Sequence, residues 1–320
     1  MTRTALILGA TGGIGGGVAR RLLQSGWKVR GLVREGSLAR LPAGVDPVPG
    51  DALDAPTVVS AAAGSQLVVH AVNPPGYRGW GRLVLPMLDN GIAAATAAGA
   101  RLLLPGTVYN FGPDAFPLID ETSPQHPVTR KGAIRVEMER RLRDAAATGD
   151  LAVLIVRAGD FFGPGAANNW FSQGLVKPGA RPTIIRNPGR RGVGHQWAYL
   201  PDVAETMTRL VERGATAAFE TYHMDGHWDA TGTTMTDAIV RVLGDPTVPV
   251  GQLPWWVLKI AGLVATTPRE LVEMRYLWRT PVRLDNRRLL ATLGEEPRTP
   301  LDTAVRETLS AMGCLTEQWP

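Results

Sequence analysis

The sequence predicts an α/β fold, a doubly wound parallel sheet with a smaller C-terminal domain, and three observations carry that prediction. An apolar run from Thr4 to Leu8 stops at a glycine-rich turn, and Val18, Ala19, Leu22 and Leu23 then recur at helical spacing. Continuous apolar runs alternate with helix-like segments through the first half of the chain, as parallel strands joined by crossover helices do. Beyond Asp160 the alternation weakens while aromatic and proline content rises. The expected division is therefore a nucleotide-binding domain over 1–160 and a substrate-binding region over 161–320. The chain is expected to return to the sheet near 198–225.

The first turn reads G-x-x-G-x-x-G at Gly9, Gly12 and Gly15, between a buried strand and a helix. Glycine there permits a tight turn, close backbone approach to a pyrophosphate, and close packing of helix on sheet. The free N–H groups and dipole of a helix N-terminus favour an anion. Strand, turn and helix in this order make a Rossmann-type dinucleotide site, with Gly9, Thr11, Gly12, Gly13, Ile14 and Gly15 as cofactor-binding residues.

The second strand, Val29 to Val33, ends without the carboxylate that holds a ribose 2′-hydroxyl in NAD-preferring sites; Arg34 follows instead. A guanidinium pairs with a 2′-phosphate, so NADP(H) is expected and NAD(H) less so, although Arg34 also reads as an ordinary surface arginine. Asp51 and Ala52 follow a third strand around Val45 to Val48, at the adenine end. A fourth strand, Leu67 to Val72, contains His70, which reads as a buried histidine. Its end brings Ala71 and Val72 beneath the cofactor and Asn73 toward the substrate. The loop Pro74 to Gly81 leads through a helical segment to a strand over Arg101 to Leu104. Ligands bind beyond strand C-termini in such sheets, so the following PGTVYNFG directs Thr107, Tyr109 and Asn110 to the cleft. A helix starting near Thr129 carries Lys131 and Arg135 one turn apart on one face. Later residues of that helix, such as Glu137 and Arg141, read as surface pairs.

Composition narrows the function. The chain has 320 residues and a net charge of +5, but its cations are scattered among 29 acids. No clustered footprint for nucleic acid emerges, and the excess suits an anionic small ligand. Cys314 is the only cysteine, which rules out an internal disulfide, and between His223 and His227 no acid stands in a zinc-protease arrangement, so no metal is expected. The apolar stretch Trp255 to Ala265 is interrupted by Lys259 and is too short to span a bilayer. With no signal-peptide pattern, a cytoplasmic protein without a membrane partner is expected.

The Gly9 motif, GTVYNFG, the helix to Glu139, VRAGDFFGPG from Val156, and HQWAYLPDVAE from His195 together resemble the extended short-chain dehydrogenase/reductase family, in its epimerase/dehydratase-like branch. The resemblance covers almost the whole chain. It implies a Ser/Thr, Tyr, Lys catalytic set, a nicotinamide-side loop that includes Ala158, and a homodimer. Thr107 matches the first member. Lys131 stands where the family has tyrosine, and Arg135 where it has lysine, as in atypical members of the superfamily. Arginine can still hold the nicotinamide ribose, and its fixed charge favours neutral Lys131, so Lys131 becomes the expected proton donor and a cofactor contact. Tyr109 is the rival acid, or packs beneath its loop.

Phe161, Phe162, Asn169, Trp170, His195 and Trp197 are the candidate substrate residues, each also readable as core packing. The expected function is NADP-dependent hydride transfer with a small to medium, partly apolar carbonyl-type substrate. Alternatives are a sugar-type epimerase or dehydratase using bound NAD(P), and a non-catalytic NADP(H)-sensing protein.

Overall fold

The structure is a computed structural model that describes residues 2–74, 79–166 and 169–315. Strand β1 (Thr4–Leu8) leads into helix α1 (Gly13–Gln24), then β2 (Lys28–Val33), β3 (Asp46–Pro49), α2 (Ala55–Ala62) and β4 (Leu67–His70). Helix α3 (Trp80–Ala98) and β5 (Arg101–Gly106) follow. The short β6 (Leu118–Ile119) precedes α4 (Arg130–Ala147) and β7 (Val153–Arg157). Next come β8 (Asp160–Phe162), β9 (Ile185–Asn187), β10 (His195–Tyr199), α5 (Leu200–Arg213) and β11 (Phe219–His223). The remainder comprises β12 (His227–Asp229), α6 (Thr234–Leu243), β13 (Val250–Gln252), α7 (Trp255–Ala261), α8 (Thr266–Glu273), β14 (Arg283–Leu284), α9 (Arg287–Leu293) and α10 (Leu301–Ala311).

Seven parallel strands form the main sheet in the order β11-β7-β5-β4-β1-β2-β3. The doubly wound sheet is thus as the apolar runs predict. Period-two alternation sorts the side chains of β1. Ala5 and Ile7 pack with Val18 and Leu22 of α1 and Met207 of α5, whereas Leu6 and Leu8 pack with Val58 of α2 and Leu88 of α3. Strand order reverses between β1 and β4, and a cleft opens at such a switch point.

A second apolar core lies beyond the strand ends. Phe162, Phe171, Trp197 and Trp278 fill it, together with Val108 and Phe111 from the loop after β5 and Ile119 of β6. Leu289 of α9 meanwhile joins the α1 and α5 side of the sheet core. The two lobes therefore interleave across residue 160.

One buried network fastens the lobes together. Arg157, 1% exposed at the end of β7, donates from Nη2 to both carboxylate oxygens of Glu139 on α4, at 2.8 and 2.9 Å. Its Nη1 donates to the Thr107 carbonyl, and its Nε donates to Nε2 of His223 at 3.2 Å. Asn110 and Gln125 donate to the two oxygens of Glu139, at 2.9 and 2.8 Å, so no lone pair of the carboxylate goes begging. His223 Nδ1 lies 3.2 Å from the Ile119 carbonyl, the tautomer of a neutral ring. Burial first, and the Arg157 charge second, hold His223 down to about 3.

Removing one charge of a buried pair strands the other, at a cost of about 3–5 kcal/mol. Glu139→Gln should lose that much in urea denaturation at pH 7, whereas Glu137→Gln, in a half-buried pair at the helix surface, should lose under about 1 kcal/mol. Because the folded pKa of His223 is depressed, the unfolded chain takes up the proton first. Its contribution is complete above about pH 6.5 and declines by roughly 1.4 kcal/mol per pH unit as pH falls toward 3. The unfolding free energy should fall between pH 7 and 5 with this contribution alongside those of His70 and His227, held down likewise by burial, and His223→Gln should make the fall shallower.

Candidate active site

The cleft at the switch point has a volume of about 560 Å³ and runs from the end of β2 to the second lobe. Gly9, Thr11, Gly12, Gly13 and Ile14 line its floor. Gly9 has φ +95°, and a Cβ there would come within 2.6 Å of the Ala71 carbonyl, so β1 and β4 meet where only glycine fits. Gly15 does not line the cleft. A Cβ on Gly15 would stand 2.3 Å from the Gly9 carbonyl, so this glycine seats α1 on the strand–turn unit. No side chain caps α1 and no acid occupies its first turn, which leaves the N-terminal amides for an anion. A dinucleotide pyrophosphate fits this floor.

Near the end of β2, Arg34 lines the cleft with Asp51 and Ala52, and so do Ser37 and Arg40, which sequence reasoning missed. The segment Glu35–Arg40 is a 3₁₀ helix capped by Arg34, and its three-residue period places positions 34, 37 and 40 on one face. Arg40 Nη2 donates to Ser37 Oγ at 2.8 Å. The spacing Arg-x-x-Ser-x-x-Arg was the available signal. Asp51 Oδ1 accepts from the Leu53 amide at 3.0 Å and shapes the turn.

Ala71, Val72 and Asn73 line the middle of the cleft, where Asn73 Oδ1 accepts from the Trp80 indole. His70 also lines it while remaining 3% exposed. Burial, then the charge of Arg135, hold this imidazole down to about 3, so it is a neutral wall. The loop expected from Pro74 to Gly81 includes residues 75–78, which lie outside the described residues.

At the far end Thr107, Tyr109, Arg135 and Ala158 converge. Thr107 Oγ1 accepts from the Tyr109 amide at 3.4 Å and donates to Asn110 Oδ1 at 3.3 Å. Helix α4 begins at Thr129, whose Oγ1 accepts from the Gly132 amide at 3.0 Å. A Cβ on Gly132 would fall 2.2 Å from the Tyr109 carbonyl, so the missing side chain lets α4 pass the Tyr109 loop. Arg135 reaches the cleft, with Nη1 donating to the Pro105 carbonyl at 3.4 Å and its guanidinium 5.4 Å from the Trp80 ring.

Lys131 does not reach it. Its Nζ pairs with Glu270 Oε2 at 2.8 Å, donates to the Glu270 carbonyl at 3.0 Å, and lies 3.9 Å from Glu273 Oε2. The expectation that Lys131 faces the cleft is therefore corrected: its ammonium ties α4 to α8, whose Leu271 lines the cleft. No local pattern could reveal this, because the partners stand 139 and 142 residues further along.

Of the expected substrate residues, Phe161, Asn169 and Trp170 line the far end of the cleft, but Phe162, His195 and Trp197 do not. Phe162 and Trp197 are buried in the second core, edge to face at 6.4 Å. His195 stacks on Trp278 with ring centroids 3.6 Å apart, and its Nε2 lies 2.9 Å from Asp160 Oδ2. Alternation along β8 turns Phe162 inward, and Asp160, which sequence reasoning passed over, is the member of that pair on the cleft.

Residues 5–224 match the model of the NAD dependent epimerase/dehydratase family. The chain belongs to that family. Its members are NAD(P)-dependent enzymes, which agrees with the glycine floor described above. Within a 174-residue segment the chain is 34% identical to a 3-diazoavenalumate denitrifying reductase from a Streptomyces species, over 50% of this chain and 57% of that protein. A putative epimerase from Burkholderia cenocepacia superposes with a TM-score of 0.73 at 22% identity, covering 98% of this chain and 99% of the other. UDP-glucose 4-epimerase from Thermus thermophilus in complex with NAD gives 0.70 at 20% identity, over 97% and 98%. At such identities the likeness to the solved epimerases is one of fold.

Gly15→Ala should separate turn from helix and weaken NAD(P)H binding at least tenfold in a fluorescence titration. Gly26→Ala, where nothing lies within 4 Å but φ is +79°, should lower stability without changing affinity.

Proposed function

We propose that this family member is an NADP(H)-dependent reductase of a small to medium, partly apolar carbonyl-type substrate. The observation that carries the cofactor preference is the row Arg34, Ser37 and Arg40 at the adenine end, with no carboxylate closing β2. Two guanidiniums and a hydroxyl suit a 2′-phosphate and offer nothing specific to a 2′-hydroxyl. The substrate end supports the second half of the reading, since Phe161, Trp170, Met138 and Leu271 give it apolar walls. The name of the Streptomyces relative, a reductase, agrees with net reduction.

When bound, the nicotinamide supplies the hydride. Gly9, Gly12, Gly13 and Ile14 hold the pyrophosphate, and Arg135 holds the nicotinamide ribose. As the carbonyl carbon gains the hydride, the oxygen gains negative charge and then a proton. Tyr109 gives that proton and recovers one from water, and Thr107 orients the oxygen. Lys131 keeps α8, and with it Leu271, closed over the site. No charge at position 131 takes part in the proton transfer.

Hydrogen bonds to charged groups contribute about 1.5–3 kcal/mol each. Arg34→Ala and Arg40→Ala should each raise the NADPH KM roughly ten- to hundredfold while changing the NADH KM less than about threefold. Equal losses for both cofactors would remove the NADP assignment. Across a panel of ketones, aldehydes and imines, Tyr109→Phe should lower kcat by about 10²-fold or more with wild-type NADPH affinity. Lys131→Met should leave the pH–rate profile in place and lower the melting temperature. A profile that shifts in Lys131→Met and not in Tyr109→Phe would return the proton to Lys131.

A further inference from the structure

A second cavity, of about 500 Å³, lies outside the cleft. Arg190, Lys259, Arg275 and Arg279 converge on it from three parts of the chain, and no acidic residue lines it. Elsewhere arginines are matched with acids, as Arg140 is with Glu137 and Asp144, and Arg241 with Asp302. Among the described residues none of these four cations has an ion pair or a side-chain hydrogen bond. Burial, then the charges of Arg279 and Arg190, push the Arg275 guanidinium below its usual range, so these groups repel one another without a screening anion. The Arg275 guanidinium lies 5.2 Å from the Trp255 ring.

The rim of the same cavity is apolar and uncovered. Trp256 lines the cavity and is 68% exposed. Ile260, Leu263 and Val264 stand beyond it, the last two 83% and 91% exposed. Five of the eleven large apolar side chains exposed among the described residues fall within 256–264. Such a concentration marks a contact surface.

We infer that this cavity receives the anionic headgroup of a phospholipid while α7 and the turn after it rest in the interfacial layer of an anionic membrane. Four converging cations match a headgroup phosphate, and exposed Trp, Ile, Leu and Val beside them match the acyl boundary. A soluble phosphate ester would satisfy the cations and leave Leu263 and Val264 in water. A second copy of this chain is a poor occupant, because a two-fold contact would set the same four cations against themselves. Among the described residues no helix is long and apolar enough to cross a membrane, so the contact is peripheral. Wall residues Trp255 and Trp278 pack against Trp170 of the cleft, 5.7 and 5.2 Å away, which puts the membrane-facing side next to the substrate end. The inference needs no cleft residue and stands apart from the reductase reading.

Co-sedimentation of the whole protein with phosphatidylcholine vesicles, with and without about one third phosphatidylglycerol, tests it. Binding should require phosphatidylglycerol and weaken as salt rises through the range where the Debye length falls below about 8 Å. Arg190→Glu with Lys259→Glu, and separately Leu263→Ser with Val264→Ser, should each reduce the bound fraction at least tenfold. Both pairs are exposed, so melting temperature and NADPH affinity should stay at wild-type values. Absence of binding to the anionic vesicles overturns the inference, and so does binding that both double variants retain. It is equally overturned if glycerol 3-phosphate binds with saturation and the serine variant keeps full vesicle binding, which would make the cavity a site for a soluble anion.

Discussion

The ion pair between Arg157 and Glu139 is the contact on which the arrangement of the cleft depends. It is buried, one guanidinium nitrogen meets both carboxylate oxygens, and it joins the end of β7 to the middle of α4. Through its other donors Arg157 also fixes the Thr107 carbonyl and the His223 ring. The loop bearing Thr107 and Tyr109 is therefore held on one side by Arg157 and on the other by the start of α4. Charge buried this deeply stabilises only when every lone pair and proton is met, and Asn110 and Gln125 complete the set.

Around that fixed loop the cleft has a marked polarity. Its adenine end is cationic, its floor is bare backbone, and its far end is apolar with Tyr109, Thr107, Arg135 and Asp160 among the side chains. Lys131 and Arg135 stand one turn apart on α4, at the positions where the family resemblance leads one to expect tyrosine and lysine, yet their side chains part in space. Arg135 stays in the cleft, where a cation can meet a ribose. Lys131 turns to two glutamates of α8 and becomes a structural tie between lobes. The electrostatic pull of two carboxylates on one buried ammonium decides its direction, whatever the ancestral position was used for.

Local pattern carried the reading of the sheet a long way. Apolar runs expected at Thr4–Leu8, Leu67–Val72 and Arg101–Leu104 became the buried strands Thr4–Leu8, Leu67–His70 and Arg101–Gly106, and the third strand lay one residue from its expected span. The glycine turn and Thr129 as the start of α4 are likewise short-range features, set by backbone geometry within a few residues. Ser37 and Arg40 were legible as well, once a three-residue period is considered beside the helical one. Misplaced residues all depend on which way a side chain turns. Phe162 and Phe161 are neighbours, yet one is core and the other lines the cleft, because a strand alternates its faces.

By itself, then, the sequence determined the order of strands and helices, the glycine floor and the lack of a carboxylate at the end of β2, since each is fixed by residue identity and by steric and hydrogen-bonding demands among near neighbours. Tertiary structure alone decided the fate of Lys131, the pairing of His195 with Asp160, the closing of the far end by Leu271, and the meeting of four cations beside α7. These contacts join residues up to 142 positions apart. Their partners are chosen by how the lobes pack and by the need of buried charge for opposite charge, and neither is written in the spacing along the chain.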